Sequence, residues 1–405
     1  MKYSGNPHRK FRAVHVAGTN GKGSTSSMIA AVLQASGYKT ALYTSPHLVK
    51  FNERIRINGS MISDRDLTRY AQLFRPQIDS LNATFFEATT AIAFKYFADS
   101  GVDFAVIETG LGGRLDATNV LIPEVSIITS IAKDHTELLG TSFRKIAYEK
   151  GGIIKRERPC VVGTENKSAL DELKRIARQR RSRFIPVEMK QVSDCTPMSN
   201  GGQRGRITTE RRSYKNLIIP LPGIHQFKNA AMAISALECL DAKGLPLSES
   251  AIRKGLANVT RLTGLRGRFE ILRHRPLVVV DVSHNPNGIS STIAAIQNHR
   301  YRKLLLLFGV MGDKDYRSMI RLLSALRPVV FAAQPMMTRA LPSDRIMRLF
   351  RETKCTAHAY SDTRDAIADA LKTLRREDAL LICGSHYVAG EVLPLLDKRL
   401  RRKSS

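Results

Sequence analysis

The chain has 405 residues, 43% of them hydrophobic, too many for one typical core and enough to pack two domains. Its formal net charge of +28 points to anionic ligands: nucleotides, acidic metabolites, nucleic acid or a membrane surface. The longest apolar runs, such as Leu304 to Phe308, have strand length and exclude a bilayer-spanning helix. Residues 1–12 are polar and basic, so no secretory signal is expected. Cys160, Cys195, Cys239, Cys355 and Cys383 fall singly, without metal-ligand spacing and in odd number, which predicts reduced thiols in a cytoplasm.

In chain order, the apolar run 13–17 predicts a buried strand, and 24–35 predicts a helix with Ile29, Val32 and Leu33 on one face and Gly37 as its stop. Between them stands Gly18-Thr19-Asn20-Gly21-Lys22-Gly23-Ser24. A strand, a glycine-rich turn, then a lysine and a hydroxyl at a helix start suit a polyphosphate. Backbone N–H groups face the anion, Lys22 supplies a point charge, and Ser24 can reach a magnesium ion. The spacing departs from the common phosphate loop, because Gly23 separates the lysine from the hydroxyl.

Strands at 40–44, 104–108, 125–129 and 160–162 alternate with helices at 64–74, 88–98, 143–149 and 167–180, which predicts a doubly wound α/β sheet. The stretch 184–220, rich in Arg, Gly, Ser and Thr, reads as a small β-insertion, and a helix returns at 226–240. Residues 261–268 hold two glycines and three arginines and mark a boundary, giving domains 1–265 and 266–405. Beyond it strands at 277–280, 304–308, 329–332 and 379–383 form a second, Rossmann-like α/β series.

The chemistry-bearing residues follow strands, where ligands bind in such sheets. Glu108 enters a glycine-rich turn and is placed to hold magnesium against phosphates. His135 follows the 125–129 strand and suits a metal ligand or a structural role equally. Taken alone, Lys150 is a cation at a helix C-terminus and Ser45 a turn residue. Thr84-Phe85-Phe86-Glu87 sets two aromatics beside a carboxylate, a place for a flat ring or simply for packing. Asp281 opens an Asp/His/Asn turn in the second domain. The basic clusters Arg178 to Arg183, Arg204 to Arg212 and Lys398 to Lys403 interleave no aromatics for base stacking, and the chain has no tryptophan, so a nucleic-acid-binding ATPase is the weaker reading.

Together these pieces resemble the folylpolyglutamate synthase and dihydrofolate synthase family, a branch of the Mur ligases. The matching residues are Gly18 to Ser24, Thr44-Ser45-Pro46-His47-Leu48, Phe86-Glu87, Glu108 to Asn119, Asp134-His135, Glu149-Lys150, His225 to Asn229, Gly267-Arg268, Asp281 to Pro286 and Gly384-Ser385. They occur in the family's order over nearly the whole chain. The resemblance implies an ATP-dependent ligase that adds L-glutamate to a reduced folate or dihydropteroate through an acyl phosphate. It implies ATP contacts from Gly18, Thr19, Asn20, Gly21, Lys22, Gly23, Ser24, Asn229, Arg268 and Asp281. It implies two magnesium ions held by Ser24, Ser45, Glu108, His135 and Lys150, with Lys150 as a carbamate and Lys22, His135 and Lys150 the catalytic set. Thr84, Phe85, Phe86, Glu87, Leu115, Asp116 and Ala117 would line the pterin-bearing substrate. A cytoplasmic monomer is expected, without a membrane or nucleic-acid partner; another Mur-type ligase is the alternative within the fold. Two departures from the family pattern stand out. Few residues precede the first strand, which favours reduced folates over dihydropteroate, and Val282 occupies a usual glycine position.

Overall fold

The computed structural model describes residues 1–199 and 201–401, so the end of the Lys398 to Lys403 cluster lies outside the described residues. The chain divides into two compact units. The first comprises Met1–Pro46, Asn52–Pro220 and Ile224–Leu265, and the second takes His47–Phe51, Leu221–Gly223 and the chain from Arg266 onward.

In the first unit the strands are β1 (Arg12–Ala17), β2 (Thr40–Tyr43), β3 (Ile55–Ile57), β4 (Ser60–Met61), β5 (Phe104–Glu108), β6 (Val125–Ile128), β7 (Cys160–Val162) and β8 (Phe184–Pro186). They form one sheet in the order β4-β3-β2-β5-β1-β6-β7-β8, in which only β3 runs antiparallel to the rest. The central strands are buried and mostly apolar, as expected of a parallel sheet covered on both faces. β1 lies between β5 and β6, and the chain leaves β1 for one side of the sheet and later returns to the other, so the switch point falls at the carboxyl ends of these three strands.

The helices that matter are α1 (Lys22–Ala35), α2 (Asp64–Leu81), α3 (Phe85–Asp99), α4 (Thr136–Leu139), α5 (Phe143–Gly151), α6 (Lys167–Gln179) and α7 (Ile224–Asp241). α1 is not the one-faced helix its sequence predicts. Every residue from Gly23 to Leu33 is buried. The helix Glu249–Ala257 closes over it so tightly that a Cβ on Gly255 would stand 2.5 Å from Val32 Cα. α2 continues past 74 through Pro76, whose ring and neighbour Arg75 are exposed. Water can satisfy the carbonyl that loses its partner there, and Pro76 does not end the helix. The 184–220 stretch splits: Phe184–Pro186 extends the main sheet, while β9 (Val192–Pro197), β10 (Gln203–Thr208) and β11 (Ser213–Ile219) form a separate antiparallel sheet.

The second unit holds β12 (Glu270–His274), β13 (Leu277–Val280), β14 (Leu304–Phe308), β15 (Val329–Ala333), β16 (Ala357–Tyr360) and β17 (Ala379–Cys383). Their order is β12-β13-β17-β14-β15-β16, with only β12 antiparallel. The short segment His47–Phe51 joins this unit because Leu48 packs on its core beside Val282, and a Cβ on Gly390 would meet Leu48 O at 2.0 Å. Among the described residues no helix is long and apolar enough to cross a membrane.

Candidate active site

The turn after β1 bends tightly because two glycines allow it. Gly18 (φ 152°) leaves no room for a Cβ, which would fall 1.8 Å from Thr129 Oγ1, and Gly21 (φ 87°) is the left-handed cap of α1 with Asn229 Oδ1 at 2.5 Å from a built Cβ. Asn229, on α7, is thereby set against the loop. The loop is fastened to the segment after β6. Thr19 N donates to Ser130 O (2.7 Å), Ala132 N donates to Thr19 Oγ1 (3.0 Å), Asn20 N donates to Ser130 Oγ (2.9 Å), and Thr129 Oγ1 donates to Asn20 O (2.8 Å). Thr129 and Ser130 were not among the sequence candidates; hydroxyls after a strand were the only signal for them.

Lys22 is the first residue of α1 and curls back over the loop, donating to Gly18 O at 3.2 Å and Thr19 O at 3.3 Å. Its Nζ stands 3.9 Å from Glu108 Oε1. Glu108, 3% exposed at the end of β5, accepts from Ser45 N through Oε2 at 3.3 Å. Lys150 occupies the last turn of α5, but it is no solvated helix-end cation. It is 4% exposed, and its Nζ donates to Gly18 O at 2.8 Å. Burial first, and the Lys22 charge second, bring its pKa down to about 7. Two lysines therefore converge on one glycine carbonyl, and the deeper one is poised to be neutral. His135, left-handed at φ 50°, caps α4 with Nε2 3.9 Å from Asp134 Oδ1.

The glycine-rich turn after Glu108 lies against the end of α5. A Cβ on Gly113 would meet Lys150 O at 2.8 Å, and Arg114 N donates to Glu149 O at 2.7 Å. Asp116 caps the short helix Ala117–Val120 and turns its carboxylate onto its own loop, accepting from Leu111 N and Thr118 N. Thr84 and Glu87 form a capping box at the start of α3, which holds the Glu87 carboxyl below its usual range. Their polar atoms are engaged with each other. Phe86 covers Gly110, whose Cβ would stand 2.5 Å from Phe86 Cζ. Phe85 is 62% exposed with the Arg54 guanidinium 5.4 Å from its ring centre, and Leu115 is 79% exposed. Phe85 and Leu115 are thus apolar surfaces on the solvent side of the segments that flank Glu108.

The Mur ligase middle domain family matches residues 16–237, and the Mur ligase glutamate ligase domain matches residues 267–386. A dihydrofolate synthase/folylpolyglutamate synthase of Bacillus subtilis (strain 168) is 34% identical over 404 residues, covering 97% of this chain and 92% of the relative. The chain belongs to the folylpolyglutamate and dihydrofolate synthase family of the Mur ligases. Among solved structures of this family, Mycobacterium tuberculosis folylpolyglutamate synthase with ADP and AMPPCP is similar with a TM-score of 0.89 at 31% identity, over 98% of this chain and 93% of that one. Escherichia coli FolC with DHPP and ADP is similar with a TM-score of 0.87 at 28% identity, over 98% of this chain and 92% of that one.

Among the described residues no three His, Cys, Asp or Glu side chains gather as a metal cluster. The groups expected to hold a metal are instead hard oxygens: the Glu108 carboxylate, which accepts from the Ser45 backbone N, and the hydroxyls of Ser45 itself and of Ser24, buried in the first turn of α1. That chemistry fits magnesium completed by phosphate oxygens, and an amine such as Lys150 fits only once it carries a carboxylate. In the second unit, Asp281 follows β13 and its carboxylate holds the unit together. Oδ2 accepts from Phe269 N (2.7 Å), and Oδ1 accepts from Ser283 N (2.9 Å), Thr292 Oγ1 (2.9 Å) and the Ser283 hydroxyl. Arg268, half-buried, precedes Phe269. Val282 is buried, and a Cβ on Gly267 would fall 2.8 Å from its Cγ1, so the valine fills space beside that glycine.

Proposed function

We propose that this chain joins L-glutamate to a pterin-bearing carboxylic acid, a reduced folate, dihydropteroate or both, at the expense of ATP. The observation that carries this reading is the meeting of Lys22, Glu108 and the buried Lys150 around the phosphate loop, in a chain whose relatives bear these activities in their names. Gly18 to Ser24 and Asn229 would cradle the nucleotide. The substrate carboxylate attacks the γ-phosphorus and ADP leaves; the glutamate amine then attacks the acyl carbon and phosphate leaves. Lys22 and the loop N–H groups are suited to hold the charge that builds at the phosphoryl oxygens. Magnesium, when bound by Ser24, Ser45 and Glu108 and at a second place by His135 and carbamylated Lys150, supplies further charge neutralisation. A lysine near neutrality offers the free amine that carbon dioxide requires. Phe85, Phe86, Leu115 and Ala117 would receive the pterin, with Thr84, Glu87 and Asp116 shaping that surface. The two units would divide the work as an ATP- and folate-binding part, 1–265, and a glutamate ligase part, 266–405, in a cytoplasmic monomer.

The test is phosphate release from ATP with glutamate and each pterin acid in turn. Release that needs both glutamate and a pterin acid supports the reading. Release without either, or only with a peptidoglycan precursor, overturns it.

A further inference from the structure

Beneath the glycine-rich turn runs a polar chain whose buried members, His15 and Thr118, none of these roles uses. His15 sits in β1, paired on one side with Ile107 and on the other with Ser126, and is fully buried. Its Nε2 lies 2.8 Å from Thr118 Oγ1, itself fully buried. The Thr118 hydroxyl stands 2.5 Å from Asp116 Oδ1, and Asp116 Oδ2 accepts from Leu111 N at 2.8 Å. A carboxylate can only accept, so the single Thr118 proton goes to Asp116, and the hydroxyl oxygen must accept from the imidazole. That fixes the tautomer with hydrogen on Nε2. His15 Nδ1 is then a bare acceptor, and it has no hydrogen-bond partner among the described residues. Burial, with the Lys155 charge behind it, lowers the imidazole pKa to about 3, so the ring stays neutral. A central strand thus carries a histidine whose one satisfied nitrogen points along the chain to Asp116, although leaving the other unsatisfied is costly.

We propose that His15 is a positioning residue for the carboxylic-acid substrate: through Thr118 it fixes the Asp116 carboxylate and so the turn from Thr109 to Ala117. The proposal rests on the folate-ligase reading above, in which Leu115 to Ala117 face the pterin. The far side of the turn is held independently, by Arg114 N on Glu149 O and by Asn119 Nδ2 on Gly152 O at 3.2 Å. The phosphate loop has its own fastening, to the segment after β6. Breaking the His15 chain should therefore loosen the substrate side and spare the nucleotide side.

The test compares Thr118→Val, which keeps shape and loses the hydroxyl, with Thr118→Ser, which keeps it, and adds His15→Gln, which keeps a donor in place of Nε2. Thr118→Val should raise KM for the pterin acid roughly tenfold, as expected for losing one buried hydrogen bond to a carboxylate. ATP affinity, titrated without pterin acid, should stay within about twofold, since the phosphate loop keeps every one of its own bonds. The Leu111 amide should exchange faster in Thr118→Val, and Thr118→Ser and His15→Gln should recover most of both effects. Wild-type KM and wild-type Leu111 protection in Thr118→Val would overturn the proposal, as would equal losses of ATP and pterin-acid binding. If the wild-type protein ligates glutamate to no pterin acid, the ligase reading fails, and the Leu111 exchange of the three variants still decides whether the chain holds the turn.

Discussion

The strand-end turns of the two units use similar residues to opposite ends. After β13, Asp281 is saturated by four donors from Phe269, Ser283 and Thr292, and the turn is a finished piece of structure. After β1, β5 and β6 the same kinds of groups are left in tension. Two lysines share the Gly18 carbonyl, and Glu108 stands at 3.9 Å from Lys22. Thr109 Oγ1 and Thr25 Oγ1, both buried, find no hydrogen-bond partner among the described residues. A polar group whose charge is already balanced by its own backbone holds the fold, whereas two lysines crowded onto one carbonyl are suited to receive an anion. On the proposed reading the chemistry lies where the protein alone is less well satisfied.

The largest expected effect follows from removing one of the crowded cations. Lys22→Ala should cost about two to three orders of magnitude in turnover, because it withdraws a charge aimed at the reacting phosphate. Its melting temperature should change little, since the lost repulsion with Lys150 offsets the lost contact with Glu108. A variant that melts early yet turns over normally would place Lys22 among the structural groups instead.

Next comes the protonation of Lys150. Its pKa is depressed, so the neutral amine that carbon dioxide needs is abundant above about 7 and is lost as pH falls through that point. In carbon-dioxide-depleted buffer, activity should decline below neutrality, and bicarbonate should restore much of it. Activity indifferent to bicarbonate at every pH would argue that Lys150 works as a plain amine.

Asp281→Asn probes the satisfied turn. Removing charge from a carboxylate with four donors should destabilise the second unit by about 1–3 kcal/mol, read in thermal or urea unfolding. A large rise in the KM for ATP without loss of stability would move Asp281 from scaffold to ligand. The smallest effect is expected at the surface. Neutralising the exposed arginines among Arg178 to Arg183, of which Arg183 pairs with Glu210 at 2.9 Å, should leave maximal turnover nearly unchanged and flatten only its salt dependence.

How much of this was legible beforehand differs by element. The apolar runs of β5, β7, β13, β14 and β17 marked these strands to the residue, because strands buried on both faces leave no ambiguity of period. For α1 the single face of Ile29, Val32 and Leu33 understated the burial, because further helices cover the whole stretch from Gly23 to Leu33. The helix expected at 64–74 runs on to Leu81, because the exposed setting of Pro76 lets it continue. The glycine turn and the helix start at Lys22 were legible from local spacing. Lys150 did not, because what sets it apart is a contact with Gly18, 132 residues away in sequence. Nor could spacing tell that Glu87 and Asp116 are taken up by a capping box and by their own turn.

The most direct test of the ligase chemistry follows oxygen. A pterin acid labelled with oxygen-18 in its reacting carboxylate should hand one labelled oxygen to the released phosphate, because that oxygen bonds to phosphorus before glutamate displaces it. Unlabelled phosphate formed alongside the glutamyl product would contradict the acyl-phosphate route and with it the role given to Lys22, Glu108 and Lys150.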